Sequence, residues 1–142
     1  MFITRATRHD KSDLESFYKE HEWEMSTQGK SVGFVARDGS IVGALQLFEP
    51  ETNRVIIEDV LVRDGRRGEG IGAQLMNAAM MSRGGTLYLV CHPERLAFYG
   101  RQGFNEMPFD ELPESIREWF IAEEAAPHQV EEGHIHHFMT AR

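Results

Sequence analysis

Val55-Ile56-Ile57-Glu58-Asp59-Val60-Leu61-Val62, followed by Arg63-Asp64-Gly65-Arg66-Arg67-Gly68-Glu69-Gly70-Ile71-Gly72, is the stretch on which the reading of this chain turns. The first eight residues are rich in β-branched side chains and run into turn residues, which predicts a strand. Past the glycines, Ile71, Leu75, Met76 and Ala79 recur at helical spacing. Strand, Gly-rich turn and helix make an anion-binding arrangement. Glycines let backbone N–H groups approach a ligand closely, and the first helical turn adds unpaired donors and partial positive charge. A phosphorylated ligand is therefore expected. Gly68 to Ala73 fits the dinucleotide pattern G-x-G-x-x-A. That pattern needs an acidic residue about 20 positions further on, at the end of the next parallel strand. The next apolar run, Thr86 to Val90, ends instead in Cys91-His92-Pro93. A P-loop would need Gly-Lys-Ser/Thr after the glycines, and none follows.

Working outward, Val32–Arg37 and Ile41–Phe48 flank Asp38-Gly39-Ser40 and predict a hairpin, Asp-Gly being a strong tight-turn signal. Glu49 to Asn53 is read as the connection into the central strand. Phe2–Ala6 reads as a first strand. Asp10 is placed to cap a helix whose Leu14, Phe17 and Tyr18 share a face. Residues 21–30 show no period and read as a loop with one packed Trp23. After the helix at 71–81, with Met76, Met80 and Met81 read as core packing, Ser82-Arg83-Gly84-Gly85 is read as the stop, through a left-handed glycine. The strand–helix–strand connection to Thr86–Val90 implies a parallel pair. Glu94–Arg101 and Leu112–Ile121 read as helices, Gly103-Phe104 as the start of a strand, and His134–Met139 as a final strand. The expected architecture is α/β, a mixed and mostly antiparallel sheet with one parallel pair and flanking helices, in one domain over 1–142.

Read from Arg67, the glycine stretch is Arg-x-x-Gly-x-Gly (Arg67, Gly70, Gly72). Taken with Ala97-Phe98-Tyr99-Gly100-Arg101-Gln102-Gly103-Phe104 downstream, it resembles the GNAT superfamily of acyl-CoA-dependent N-acetyltransferases. The resemblance spans roughly residues 30–109. It implies acetyl-CoA as cofactor and direct acetyl transfer to a primary amine, first a small and amino-acid-like one. It also implies a homodimer built on the edge of the final strand. Leu112-Pro113-Glu114-Ser115-Ile116-Arg117 is similar to a stretch found in amino-acid-acetylating members, where Arg117 would meet a carboxylate or remain a surface arginine.

Acetyl transfer needs a bound coenzyme, a neutral amine, donors for the developing oxyanion and an acid for the departing thiolate. For the coenzyme, the backbone of Arg66, Arg67, Gly68, Glu69, Gly70, Ile71 and Gly72 is the expected pyrophosphate cradle. The resemblance assigns the pantetheine and the thioester carbonyl to the backbone of Val60, Leu61 and Val62. It places Tyr99 near the coenzyme sulfur. A phenol with pKa of about 10 is protonated at neutral pH and can serve as the acid. Strand alternation puts Glu58, Val60 and Val62 on one face and Ile57, Asp59 and Leu61 on the other. Glu58 is the candidate base, a structural salt bridge being its alternative, and Asp59 is the weaker candidate. His92 stands where the family often has an asparagine that contacts the coenzyme. Helix capping, cofactor contact and base catalysis all stay open for it. Cys91 reads as a small buried hydrophobe rather than a nucleophile. His134, His136 and His137 offer at most two converging ligands on a strand, so no metal is expected.

Composition sets bounds on partners. With 15 Lys+Arg against 23 Asp+Glu the formal net charge is -8, which argues against general nucleic-acid binding and is compatible with a cationic amine. One cysteine excludes an internal disulfide framework and suits a reducing compartment. No apolar leader or membrane-length run is present, so no membrane partner and a cytoplasmic location are expected. Two alternatives remain on these residues. One is a non-catalytic acyl-CoA-binding module or a protein N-acetyltransferase on the same fold. The other is a dinucleotide-binding oxidoreductase.

Overall fold

The strand expected around Ile57 runs from Arg54 to Val62 (β4), and the helix behind the glycines from Ile71 to Met81 (α2). In this computed structural model, which describes residues 1–142, they are preceded by β1 (Phe2–Arg5), α1 (Lys11–Glu20), β2 (Ser31–Asp38) and β3 (Ser40–Glu51). They are followed by β5 (Thr86–Cys91), α3 (Leu96–Arg101), β6 (Asn105–Glu106), α4 (Glu114–Ala122) and β7 (His137–Ala141). The seven strands form a mixed sheet in the order β1-β2-β3-β4-β5-β7-β6. Its β4–β5 ladder is parallel, while β1–β2, β2–β3, β5–β7 and β6–β7 are antiparallel. The chain groups into two units, residues 1–48 with 57–84, and residues 49–56 with 85–142.

In the first unit the amphipathic face of α1 supplies Leu14, Phe17 and Tyr18, which pack with Val35, Ile41, Ala44 and Leu61. Burial of a side chain such as Phe17 is worth about 1.5–3 kcal/mol. The β2–β3 hairpin turns at Gly39, with Asp38 paired to Ser40 and a bulge between Ala36 and Arg37. α2 lies close on β3, because a β-carbon on Gly43 would sit 2.9 Å from Ile71 Cγ2 and 3.0 Å from Leu75 Cδ1. Two expectations are corrected here. Asp10 makes no side-chain cap to α1. Its carboxylate instead accepts from the Thr7 N–H while the Thr7 hydroxyl caps the preceding 3-10 turn, a reciprocal capping box. Met76 is buried, but Met81, in the last turn of α2, is 79% exposed.

In the second unit β3 continues to Glu51, so the connection into β4 is only Thr52-Asn53, shorter than expected. β4 and β5 pair at Arg54↔Thr86, Val55↔Leu87 and Ile56↔Tyr88. The stop after α2 is also corrected. Ser82 caps it, donating its hydroxyl to the Ala79 carbonyl at 2.6 Å. Gly85 serves the next strand instead. Its φ is +96°, and a β-carbon there would lie 2.5 Å from the Asn53 carbonyl oxygen. The Thr86 N–H donates to that same carbonyl at 2.8 Å, so Gly85 allows β5 to start against the turn. The final strand begins only at His137, leaving His134 and His136 outside it. Phe138 of β7 packs its ring against Phe109 and Phe120.

Candidate active site

The loop between β4 and α2 gives α2 a glycine N-cap. Gly70 sits at φ +80° and no side chain caps the helix, so the first-turn N–H groups carry no side-chain acceptor. Gly68 is also left-handed at φ +85°, and a β-carbon at either position would project into open space. Gly72 lies one residue into the helix. The result is an exposed backbone loop at the positive end of an eleven-residue helix, a place that favours an anion. The flanking arginines are held by acids of their own unit. Arg66 Nε lies 3.0 Å from both carboxylate oxygens of Glu69, and its Nη1 lies 3.1 Å from Asp38. Arg67 lies 3.3 Å from Asp64. Glu69 first, then Asp38, holds the Arg66 guanidinium above its ordinary pKa.

Along β4 burial alternates as expected. Ile57, Asp59 and Leu61 are buried, and Glu58, Val60 and Val62 are half-buried. The departure is Asp59, whose backbone is left-handed at φ 56°. Its carboxylate accepts from Trp23 Nε1 at 3.0 Å and from the Ser26 N–H at 3.1 Å. Its carbonyl accepts the Tyr18 hydroxyl at 2.7 Å. Two adjacent carboxylates on a strand imply that one is buried or paired, but sequence reasoning did not reach its partners. The one signal was a second acid in an otherwise apolar strand, which had to find partners once buried. Next to it, between α1 and the segment that follows, lies a cavity of about 510 Å³ whose walls include Tyr18, Trp23 and Met25.

In the second unit Tyr99 is 8% exposed on α3, in edge contact with Phe98 and Phe104. Burial, with a contribution from Cys91, pushes its pKa up to about 12. Burial also pushes the Cys91 thiol up to about 11, with Glu106 and Glu94 adding to the shift, and its sulfur lies 3.8 Å from Met139 Sδ. His92 holds the N-cap position of the 3-10 turn at Pro93–Arg95, but its side chain makes no cap hydrogen bond, which removes the capping role. Its ring meets His136 edge-on at 5.2 Å. His136 Nδ1 bonds the Ala125 carbonyl at 3.1 Å and His137 bonds Glu106, while His134 is exposed. Arg117 donates to the Leu112 carbonyl.

Comparisons with known proteins agree with this architecture. The profile of the Acetyltransferase (GNAT) family matches residues 2–104. Among curated proteins there is no match. A GNAT-family acetyltransferase of Staphylococcus aureus Mu50 is 18% identical with a TM-score of 0.68, over 99% of this chain and 97% of its own. N-acetylglutamate synthase from Neisseria gonorrhoeae, solved with coenzyme A and N-acetyl-glutamate, is 16% identical with a TM-score of 0.67, over 100% of this chain but 35% of its own. A Mycobacterium tuberculosis protein solved in complex with CoA is 17% identical with a TM-score of 0.68, over 99% and 98%. At these identities the likeness to solved structures is one of fold. With the family profile matching most of its length, the chain belongs to the GNAT family of acetyltransferases.

Proposed function

We propose that this protein is an N-acetyltransferase that moves an acetyl group from acetyl-CoA directly to the primary amine of a small molecule. The observation that carries the reading is the left-handed Gly68/Gly70 loop opening α2 in a chain of this family. That two proteins of the same fold were solved with coenzyme A supports the choice of cofactor.

When bound, acetyl-CoA supplies the acetyl group as an activated thioester. The backbone N–H groups from Arg66 to Gly72 would hold its diphosphate, and those of Val60 to Val62 its pantetheine arm and thioester oxygen. Glu58 would take the proton of the incoming ammonium, directly or through water, so that the nitrogen attacks with a free lone pair. The carbon–nitrogen bond would form as the carbon–sulfur bond breaks, Tyr99 would give its hydroxyl proton to the departing sulfur, and the second proton of the nitrogen would restore the Tyr99 hydroxyl, directly or through water. Its raised pKa keeps that proton in place at neutral pH. The products are the N-acetylamine and free coenzyme A, with one proton released to solvent. Cys91 is left out of this sequence, because a thiol held near 11 is protonated at neutral pH and direct transfer needs no acyl-enzyme.

The test is release of coenzyme A thiol from acetyl-CoA across a panel of primary amines. Amine-dependent release, with the acetylated amine identified by mass, is the expected result. A rate that no amine raises above the background hydrolysis would contradict the proposal.

A further inference from the structure

Cys91 and His137 are partners in the antiparallel β5–β7 ladder. One step further along the same register, His92 stands opposite His136. His92 is still extended, at φ -78° and ψ 157°. Opposed residues of antiparallel segments face the same side, close enough for their side chains to touch. The two imidazoles do meet, with ring centroids 5.2 Å apart and planes at 72°. Among the three histidines near the end of the chain, His136 thus finds its partner at the far end of β5, not in His134 or His137.

Hydrogen bonding leaves this pair with nitrogen lone pairs to offer. A carbonyl oxygen can only accept, so the 3.1 Å contact with Ala125 fixes the His136 proton on Nδ1 and leaves Nε2 with its lone pair. Metal-bound imidazoles are held in the same way, the far ring N–H donating to a carbonyl or carboxylate. His92 is exposed and its ring makes no hydrogen bond, so a nitrogen of that ring is available too. The separation also fits. With each nitrogen about 2.0–2.1 Å from a tetrahedral metal, the centroids of two imidazoles lie about 5 Å apart. No third His, Cys, Asp or Glu completes the set, so water would fill the remaining positions. Neutral imidazole selects Ni2+, Cu2+ and Zn2+ over Mg2+ and Ca2+, which take oxygen ligands.

We propose that His92 and His136 form an open, two-imidazole site for a late first-row divalent metal. Bound there, the metal ties the residue after β5 to the segment before β7 and stabilises the folded chain. Nothing in this site draws on the acetyltransferase reading.

The test is calorimetry of the full, tag-free chain with ZnCl2 and NiCl2, and with MgCl2 as the control. The wild type is compared with His92→Gln, His136→Gln, the double variant and His134→Gln. Loss of an outer partner alone costs about 10–100-fold in metal affinity, so each variant that removes a ligand should lose at least about 10-fold. The double variant should lose no more than about 3-fold beyond either single one, because one imidazole left alone cannot chelate. His134→Gln should stay within about 2-fold of the wild type, and Mg2+ should not bind. Zn2+ should also raise the urea midpoint of the wild type and leave that of His92→Gln where it was. Position 92 is exposed, so His92→Gln keeps the test decisive even if His136→Gln fails to fold. Absence of Zn2+ and Ni2+ binding, affinity indifferent to His92→Gln, or affinity lost with His134→Gln would each overturn the proposal. The last outcome would assign the metal to the His134–His137 segment by itself.

Discussion

Tyr99 is the residue whose environment bears most directly on the proposed chemistry. Burial favours the neutral phenol, and the buried Cys91 adds to the same direction, so its pKa is pushed up to about 12. A raised pKa makes it a poor base and a dependable donor. Tyr99→Phe is therefore expected to lower kcat by about 10²-fold or more while leaving acetyl-CoA affinity in place, since the aromatic packing against Phe98 and Phe104 survives. The wild-type rate should show no alkaline fall from this group below about pH 10. A phenylalanine variant with full activity would move the acid elsewhere. At this scale the sequence was partly legible. The left-handed turn at Gly68 and Gly70 was readable because only glycine adopts such a loop freely, and the half-buried placement of Glu58 because alternation orders a strand. Asp59 was not, because its partners at Trp23 and Ser26 lie more than thirty positions away and its left-handed backbone has no local signature.

Among the elements, the two that frame the glycine loop were legible because each repeats one period over several turns or pleats. Ends were less so. The final strand starts at His137 because it pairs there with Cys91 at the end of β5, a pairing between distant segments that no local pattern announces. The end of α2 was assigned to glycine, whereas Ser82 does the capping and Gly85 serves the next strand. That arrangement predicts a sharp effect. Gly85→Ala adds a β-carbon against Asn53 backbone at a left-handed φ, and should cost about 2 kcal/mol or more of stability. Gly84→Ala, with open space at its β-carbon, should cost far less. Urea unfolding of the pair would decide it, and equal midpoints would contradict this view of the α2–β5 connection.

For the whole molecule, three buried weak acids set the alkaline limit. Cys91 is raised to about 11 from an ordinary 9.0, Tyr99 to about 12 from 10.0, and Tyr18 is raised further by burial. Because each folded pKa lies above its unfolded value, their contribution to stability is intact below about pH 9. It is lost as pH rises through about 11 and 12. The urea midpoint should therefore hold between about pH 7 and 8 and fall by about pH 10.5, and a midpoint that rises over this range would contradict the assignment. We further propose that residues 1–142 make one acetyltransferase-like domain, for which that urea transition should be single and coincide by fluorescence and circular dichroism. No helix is long and apolar enough to cross a membrane. The central claim is that the loop opening α2 holds the diphosphate of acetyl-CoA. Calorimetric titration of the wild type and of Gly70→Trp with acetyl-CoA, and with NADH in parallel, tests it most directly. Micromolar acetyl-CoA binding that Gly70→Trp abolishes is predicted, with no NADH binding. Absence of acetyl-CoA binding, or NADH bound in its place, would contradict it.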